Sequence, residues 1–206
     1  MSHEIELKAW VDDCESVSAM LSAIATFEFE YVKADEYWFP IESGARVGVI
    51  PSGTLPTSGL RVRKEKQIDA DDNETNVVLV TYKTKEMRDQ IEINDEHEFA
   101  LAAPEHSSMN VALSNFEELL GKLNLQRSYT KKKQGFSYKC EKITVELSLV
   151  EKLGWFLELE ILSEDDAPQT ISAARESLLA FLAKAGIPET KIETQYYSEL
   201  LQQLPT

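Results

Sequence analysis

The chain has 206 residues, 43% of them hydrophobic, which is enough for one substantial core, and no shift in composition divides it, so a single domain over 1–206 is expected. Its 21 basic against 36 acidic residues leave a net charge of -15, which opposes loose association with nucleic acid or an anionic membrane surface and requires any polyanionic ligand to be gripped locally. Cys14 and Cys140 match no metal spacing, and His3, His97 and His106 form no His-x-x-x-His pair, so zinc is not expected. No apolar run suits a membrane span or a secretion signal, and a reducing cytoplasm is the expected compartment.

The first element, His3 to Trp10, alternates charge with apolar residues. In a strand, Glu4, Glu6 and Lys8 share one face, while Ile5, Leu7 and Ala9 share the other. Asp12 and Asp13 then precede Val17, Met20, Leu21, Ile24 and Phe27, spaced as on an amphipathic helix capped at its start. Phe29 to Phe39 is aromatic and β-branched and predicts a strand, with Asp35 and Tyr37 on one side and Glu36 and Trp38 on the other. Six glycines and prolines from Gly44 to Gly59 predict a long loop or a loosely paired hairpin after Pro40.

Leu60 to Glu65 restores the alternation, with Arg61, Arg63 and Glu65 on one face, and a polar turn is expected over Gln67 to Thr75. Val77 to Lys85 predicts a strand on which Thr81, Lys83 and Lys85 share a face. Gln90 to Phe99 is acidic and strand-like at its start; Glu92 is placed on the polar side and the later carboxylates in solvent. A helix over Ser107 to Leu123 carries Val111, Leu113, Phe116, Leu119, Leu120 and Leu123, with Asn124 to end it. Tyr129 to Lys139 is a basic strand containing Lys131, Lys132 and Lys133. On Ile143 to Val150, Thr144, Glu146 and Ser148 share a face; after the bend at Leu153-Gly154, so do Phe156, Glu158 and Glu160. Helices are expected over Ala167 to Ala185, closed by Gly186 and Pro188, and over Thr194 to Leu204.

Collected, the polar faces separate by sign: Glu4 and Glu6, Arg61 and Arg63, Lys83 and Lys85, Lys131 and Lys133, Glu158 and Glu160. Like charges about 4 Å apart at an effective dielectric of about 20 repel by about 4 kcal/mol, so such rows need compensation. A divalent cation suits the carboxylates, and a polyphosphate suits the guanidinium and ammonium groups. With no cysteine or histidine among the ligands, Mg²⁺ or Mn²⁺ is expected rather than Zn²⁺. The competing arrangement is a set of salt bridges on the outside of a sandwich. The recurrence of the pattern favours instead an α+β fold in which an antiparallel sheet closes into a barrel, charged rows inward and apolar rows outward under helices.

In order along the chain, these residues resemble the CYTH domain, or triphosphate tunnel metalloenzyme, family of class IV adenylyl cyclases, thiamine triphosphatases and tripolyphosphatases. Glu4, Glu6 and Lys8 are similar to its Glu-x-Glu-x-Lys; Asp35, Tyr37 and Trp38 to its Asp-x-Tyr-Phe; Arg61 and Arg63 to its Arg-x-Arg; and Thr81, Tyr82 and Lys83 to its Thr-Tyr-Lys. Leu153, Gly154, Phe156, Glu158 and Glu160 follow its Leu-Gly-x-Phe-x-Glu-x-Glu, and Tyr197 to Leu201 its closing Tyr-x-Asp-Leu-Leu. Two positions depart: Lys131, Lys132 and Lys133 stand where the family has Lys-x-Arg or Lys-Arg, and Ser148 where it has an acid, with Glu146 two residues earlier on the same face.

The resemblance implies an eight-stranded antiparallel tunnel with Mg²⁺ or Mn²⁺ on Glu4, Glu6 and Glu160, then on Glu158 and Glu146. It implies phosphate binding by Lys8, Arg61, Arg63, Lys83, Lys85, Lys131 and Lys133. Glu4, Glu6 and Lys8 become the catalytic group, Lys8 binding phosphate or orienting the nucleophile rather than acting as a base. The implied activity is hydrolysis of tripolyphosphate, ATP or thiamine triphosphate. Cyclisation of ATP to cyclic AMP and a non-catalytic phosphate-binding module are the alternatives.

Overall fold

Eight runs of alternating polar and apolar residues become eight strands, because each can bury its apolar side on one face of a closed sheet and keep its charges on the other. The structure, a computed structural model, describes residues 3–41, 58–103 and 108–204. In chain order they are β1 (His3–Trp10), α1 (Cys14–Ile24), β2 (Thr26–Pro40), β3 (Ser58–Asp69), β4 (Glu74–Arg88), β5 (Ile91–Ala100), α2 (Met109–Lys122) and β6 (Leu125–Cys140). There follow β7 (Ile143–Val150), β8 (Gly154–Ser163), α3 (Pro168–Lys184), a 3₁₀ turn over Glu189–Lys191 and α4 (Tyr197–Gln202). The strands close in the order β1-β5-β4-β3-β2-β6-β7-β8, every neighbour antiparallel, with β1 on β8 sealing the ring. This is the expected α+β fold.

The apolar faces lie outside the ring, under helices. Ile5 and Leu7 of β1, Ile93 of β5, Val145 and Leu147 of β7 and Leu157 and Leu159 of β8 pack against Val17 and Leu21 of α1 and Leu178, Phe181 and Leu182 of α3. Each such Leu or Ile contributes roughly 1.5–3 kcal/mol by leaving water. On the opposite side Trp38, Val62 and Val78 pack beneath Leu113 and Leu120 of α2. The interior is left to charge.

Several boundaries differ from expectation. Helix α1 starts at its Asp13 cap, whose carboxylate accepts from Ser16 N, but stops at Ile24; Ala25 is extended, and Phe27 belongs to β2, edge-on to Tyr138 at 5.8 Å. The turn placed over Gln67 to Thr75 shrinks to 70–73, because the Asp69 carboxylate accepts from the backbone N–H groups of Asp71 and Asn73 and lets β3 and β4 run on. Helix α2 is capped by Ser108 and ends before Asn124 at φ 60°, as its chemistry dictates, but its buried stripe is narrower than expected: Val111, Leu119 and Leu123 are exposed. The last helix begins only at Tyr197, since Glu199 accepts from Tyr196 N and fixes the start there. The loop expected between Pro40 and Gly59 lies, over 42–57, outside the described residues.

Two features shape the interior. The segment before α4 covers the end of the barrel where β1 finishes: Ile192 bridges Ala9, Glu193 N donates to Lys8 O at 2.9 Å, and Trp10 Nε1 donates to Glu193 Oε2 at 2.9 Å. Gly135 on β6 sits between Tyr31 of β2 and Ser148 of β7, and a Cβ there would fall 2.0 Å from Leu147 O. Glycine is what lets the strands approach and Tyr31 reach across β6 to Ser148.

Candidate active site

The inward rows enclose a cavity of about 320 Å³, lined by Glu4, Glu6, Arg61, Arg63, Lys83, Lys85, Lys131, Lys133, Glu146, Glu158 and Glu160 among others. Every residue expected to bind metal or phosphate lines this one space except Lys8, which is buried 3.9 Å from the carboxylate of Glu92, itself a lining residue.

Alternation along the strands also delivers residues that the sequence reading left without a role. Lys33 follows by period two from Asp35 and Tyr37, and Glu96 and Glu98 from Glu92. The acids placed in solvent at the end of β5 are thus partly a correction: Asp95 and His97 face outward, whereas Glu96 turns in to Lys83 at 2.6 Å and Glu98 accepts from Arg61 at 3.2 Å and Thr81 at 2.7 Å. Tyr37 stacks on Tyr129 with centroids 4.5 Å apart. Tyr197 enters from the C-terminal segment, edge-on to Phe156 and beneath the ammonium of Lys131 at 4.8 Å. These aromatics carried no charge pattern to announce them.

The charges pair among themselves in two sets that share no member. On the β1 side, Lys83 Nζ reaches Glu4 at 2.9 Å, Glu96 at 2.6 Å and Glu6 at 3.9 Å; Lys85 reaches Glu92 at 2.9 Å and Lys8 the same carboxylate at 3.9 Å; Arg61 holds Glu96 and Glu98. On the β2 side, Arg63 forks onto Asp35 at 2.7 and 3.0 Å, and Lys131 approaches Asp35 at 3.3 Å. There too Lys33 links Glu65 and Glu146, and Lys133 links Glu146 at 2.7 Å with Glu158 at 2.9 Å. The repulsion expected within each like-charged row is therefore offset first by the protein's own counter-charges on neighbouring strands.

One stretch of wall lacks enough of them. Glu6 lies directly across from Glu92 on β5 and from Glu160 on β8, three carboxylates in one register row. Burial, then the neighbouring carboxylates Glu92 and Glu158, push Glu6 up to about 7; burial, then Glu4 and Glu6, push Glu160 up to about 8. By contrast Asp35 lies well below the usual carboxylate range: burial works against this, but Arg63 and Lys131 prevail. Lys131 is itself lowered to about 8 by burial, with Lys133 and Arg63 adding to it against the pull of Asp35.

These residues fit a hard divalent cation by donor chemistry: Glu4, Glu6 and Glu160 offer only oxygen, sit on adjoining strands, and carry more negative charge than Lys83 can match. They are not gathered around a common point, since no three acidic, histidine or cysteine side chains converge among the described residues.

A sequence profile described as the CYTH domain matches residues 55–197, more than half of the chain. The chain belongs to the CYTH domain family. Solved CYTH-like structures share the fold along nearly the whole length. PH1819 from Pyrococcus horikoshii OT3 has a TM-score of 0.75 at 24% identity, covering 97% of this chain and 98% of that one. A protein described as a candidate adenylate cyclase from Vibrio parahaemolyticus has 0.71 at 18% identity, covering 97% of each chain. HpAC1 from Hippeastrum, described as an adenylyl cyclase candidate with a dominant triphosphatase activity, has 0.56 at 16% identity, covering 98% of this chain and 94% of that one. None of the curated proteins compared matches the chain. No helix of this CYTH domain, among the described residues, is long and apolar enough to cross a membrane.

Proposed function

We propose that this CYTH domain is a divalent-metal-dependent triphosphatase of the cytoplasm, acting on tripolyphosphate or an organic triphosphate such as ATP or thiamine triphosphate, without nucleic acid or membrane as partner. The observation that carries the reading is the convergence of Arg61, Arg63, Lys83, Lys85, Lys131 and Lys133 on the same enclosed space as Glu4, Glu6 and Glu160. Cations alone suit any anion; the adjoining row of under-compensated carboxylates calls for a metal as well.

Glu4, Glu6 and Glu160 would hold the cation, Mg²⁺ or Mn²⁺, while Glu158 and Glu146 are engaged by Lys133. A cation bound there would supply Lewis-acid screening of the phosphate charge. Arg61 and Arg63 grip phosphate oxygens through their forked N–H groups, and Lys83, Lys85, Lys131 and Lys133 act as point charges. To do so Arg63 and Lys131 give up part of their hold on Asp35, which keeps both aimed into the tunnel beforehand. Lys8, 3.9 Å from the carboxylate of Glu92, orients the terminal phosphate. Water attacks the terminal phosphorus, the bond to the bridging oxygen breaks, and the diphosphate leaves with its new charge stabilised by these cations. Exclusion of bulk water at the end covered by Tyr197 strengthens each of those contacts.

The test is product analysis with tripolyphosphate, ATP and thiamine triphosphate, each with Mg²⁺ or Mn²⁺. Orthophosphate release supports the triphosphatase. Cyclic AMP with pyrophosphate from ATP selects the cyclase instead, and binding without turnover selects a phosphate-binding module.

A further inference from the structure

The two ion-pair sets differ in their charge balance. On the β2 side four carboxylates face four cations, so that half of the tunnel is electroneutral as built. On the β1 side the set includes Glu160, which lies opposite Glu6 and has no cation within 4 Å among the described residues. Six carboxylates there, the exposed Glu98 among them, meet four cations, an excess of negative charge centred on Glu6 and Glu160 that a divalent ion offsets. Buried charges must be matched close by, because the interior cannot screen them.

The β2-side acids also have few free lone pairs. Lys33 donates to Oε1 of Glu146 and Lys133 to Oε2, while Glu158 accepts from Lys133 on both oxygens, at 2.9 and 3.1 Å, and from Ser148 Oγ at 2.7 Å. Lys33 and Lys133 stand directly opposite each other across β2 and β6, an arrangement that holds only because the acids lie between them. Ser148 contributes to the same balance: an acid at that position adds one more negative charge, whereas the hydroxyl satisfies Tyr31 at 2.5 Å and Glu158 without changing the sum.

We propose that Lys33 and Lys133 are the resident cations of the β2 side, so that this tunnel takes one divalent ion, on Glu4, Glu6 and Glu160, and no second at Glu146 and Glu158. The inference rests on the reading of the tunnel as a metal site and adds to it a stoichiometry and a role for Lys33.

Titration of the metal-free protein with Mn²⁺, following the free ion by electron paramagnetic resonance, counts the sites without reference to turnover. One Mn²⁺ per chain is expected. Two in the unaltered protein overturn the inference and leave the metal-site reading standing; none overturns that reading itself. Lys33→Gln, which frees one oxygen of Glu146, is expected to bind a second Mn²⁺, and a count that stays at one overturns the role of Lys33. Should that variant not fold, Glu146→Gln and Glu160→Gln decide the matter. The first is expected to change Mn²⁺ affinity less than twofold and the second to weaken it at least tenfold; the reverse order overturns the inference.

Discussion

Glu6 faces a carboxylate on each neighbouring strand, and its nearest ammonium, that of Lys83, is 3.9 Å away and shared with Glu4 and Glu96. Its charge, with that of Glu160 across β8, is therefore among those the fold compensates least and a metal compensates most. Glu6→Gln is expected to lower metal-dependent phosphate release by about 10²-fold or more while leaving the circular dichroism spectrum and the thermal midpoint intact or raised. At Ser148 the expectation has the opposite character. Ser148→Ala deprives both Tyr31 and Glu158 of a buried hydrogen bond and is expected to cost about 1–3 kcal/mol in urea unfolding. The inward acids and bases were legible at this scale wherever period two could be followed from a named residue. Lys33, Glu96 and Glu98 obey the same period, but Lys33 has no like-signed neighbour two residues away, and the acid-rich end of β5 suits solvent equally well. That Asp35 serves Arg63 and Lys131 could not be read from sequence, because the partners come from strands adjacent only in the closed ring.

Among the elements, β6 carries the tightest constraint. Its Gly135 leaves no space for a side chain against Leu147 O, so Gly135→Ala is expected to part β6 from β7 and to destabilise by about 3 kcal/mol or more, read as a fall in the urea midpoint. On α2 the two faces separate cleanly. Leu120 is 2% exposed against the outer wall and Leu119 is 50% exposed, so Leu120→Ala is expected to cost about 2–5 kcal/mol and Leu119→Ala under about 0.5 kcal/mol in the same measurement. The sequence predicted the strands and helices by period and by caps, but ends were moved by local chemistry it did not weigh. The Asp69 side chain closes the β3–β4 turn, and Glu199 holds α4 to a late start. The stripe on α2 was read too wide because periodicity marks apolar positions without saying how much of the helix the barrel touches.

For the whole molecule, the raised carboxylates set a pH dependence of stability. Glu6 at about 7 and Glu160 at about 8 bind protons in the folded state that the unfolded chain, near 4.5, has already released, so stability falls as pH rises between about 4.5 and 8. The paired acids Asp35 and Glu146, held low by their cations, act in the opposite sense and only below this window. Metal-free protein is expected to gain on the order of 3 kcal/mol on going from pH 8 to pH 6, and Mg²⁺ at pH 8 to raise the thermal midpoint by replacing those protons. A midpoint that rises with pH over this interval contradicts the charge accounting.

The barrel as a whole places a surplus of carboxylates and a row of guanidinium and ammonium groups around one cavity inside a strongly acidic protein, and the proposed activity depends on both acting on the same molecule. Phosphorus-31 magnetic resonance of tripolyphosphate with the protein and Mg²⁺ follows that directly. Orthophosphate and diphosphate are expected to grow in together, to stop on chelation of the metal, and to be absent with Glu6→Gln. Tripolyphosphate, ATP and thiamine triphosphate all left intact by folded, Mg²⁺-loaded protein is the result that contradicts the account.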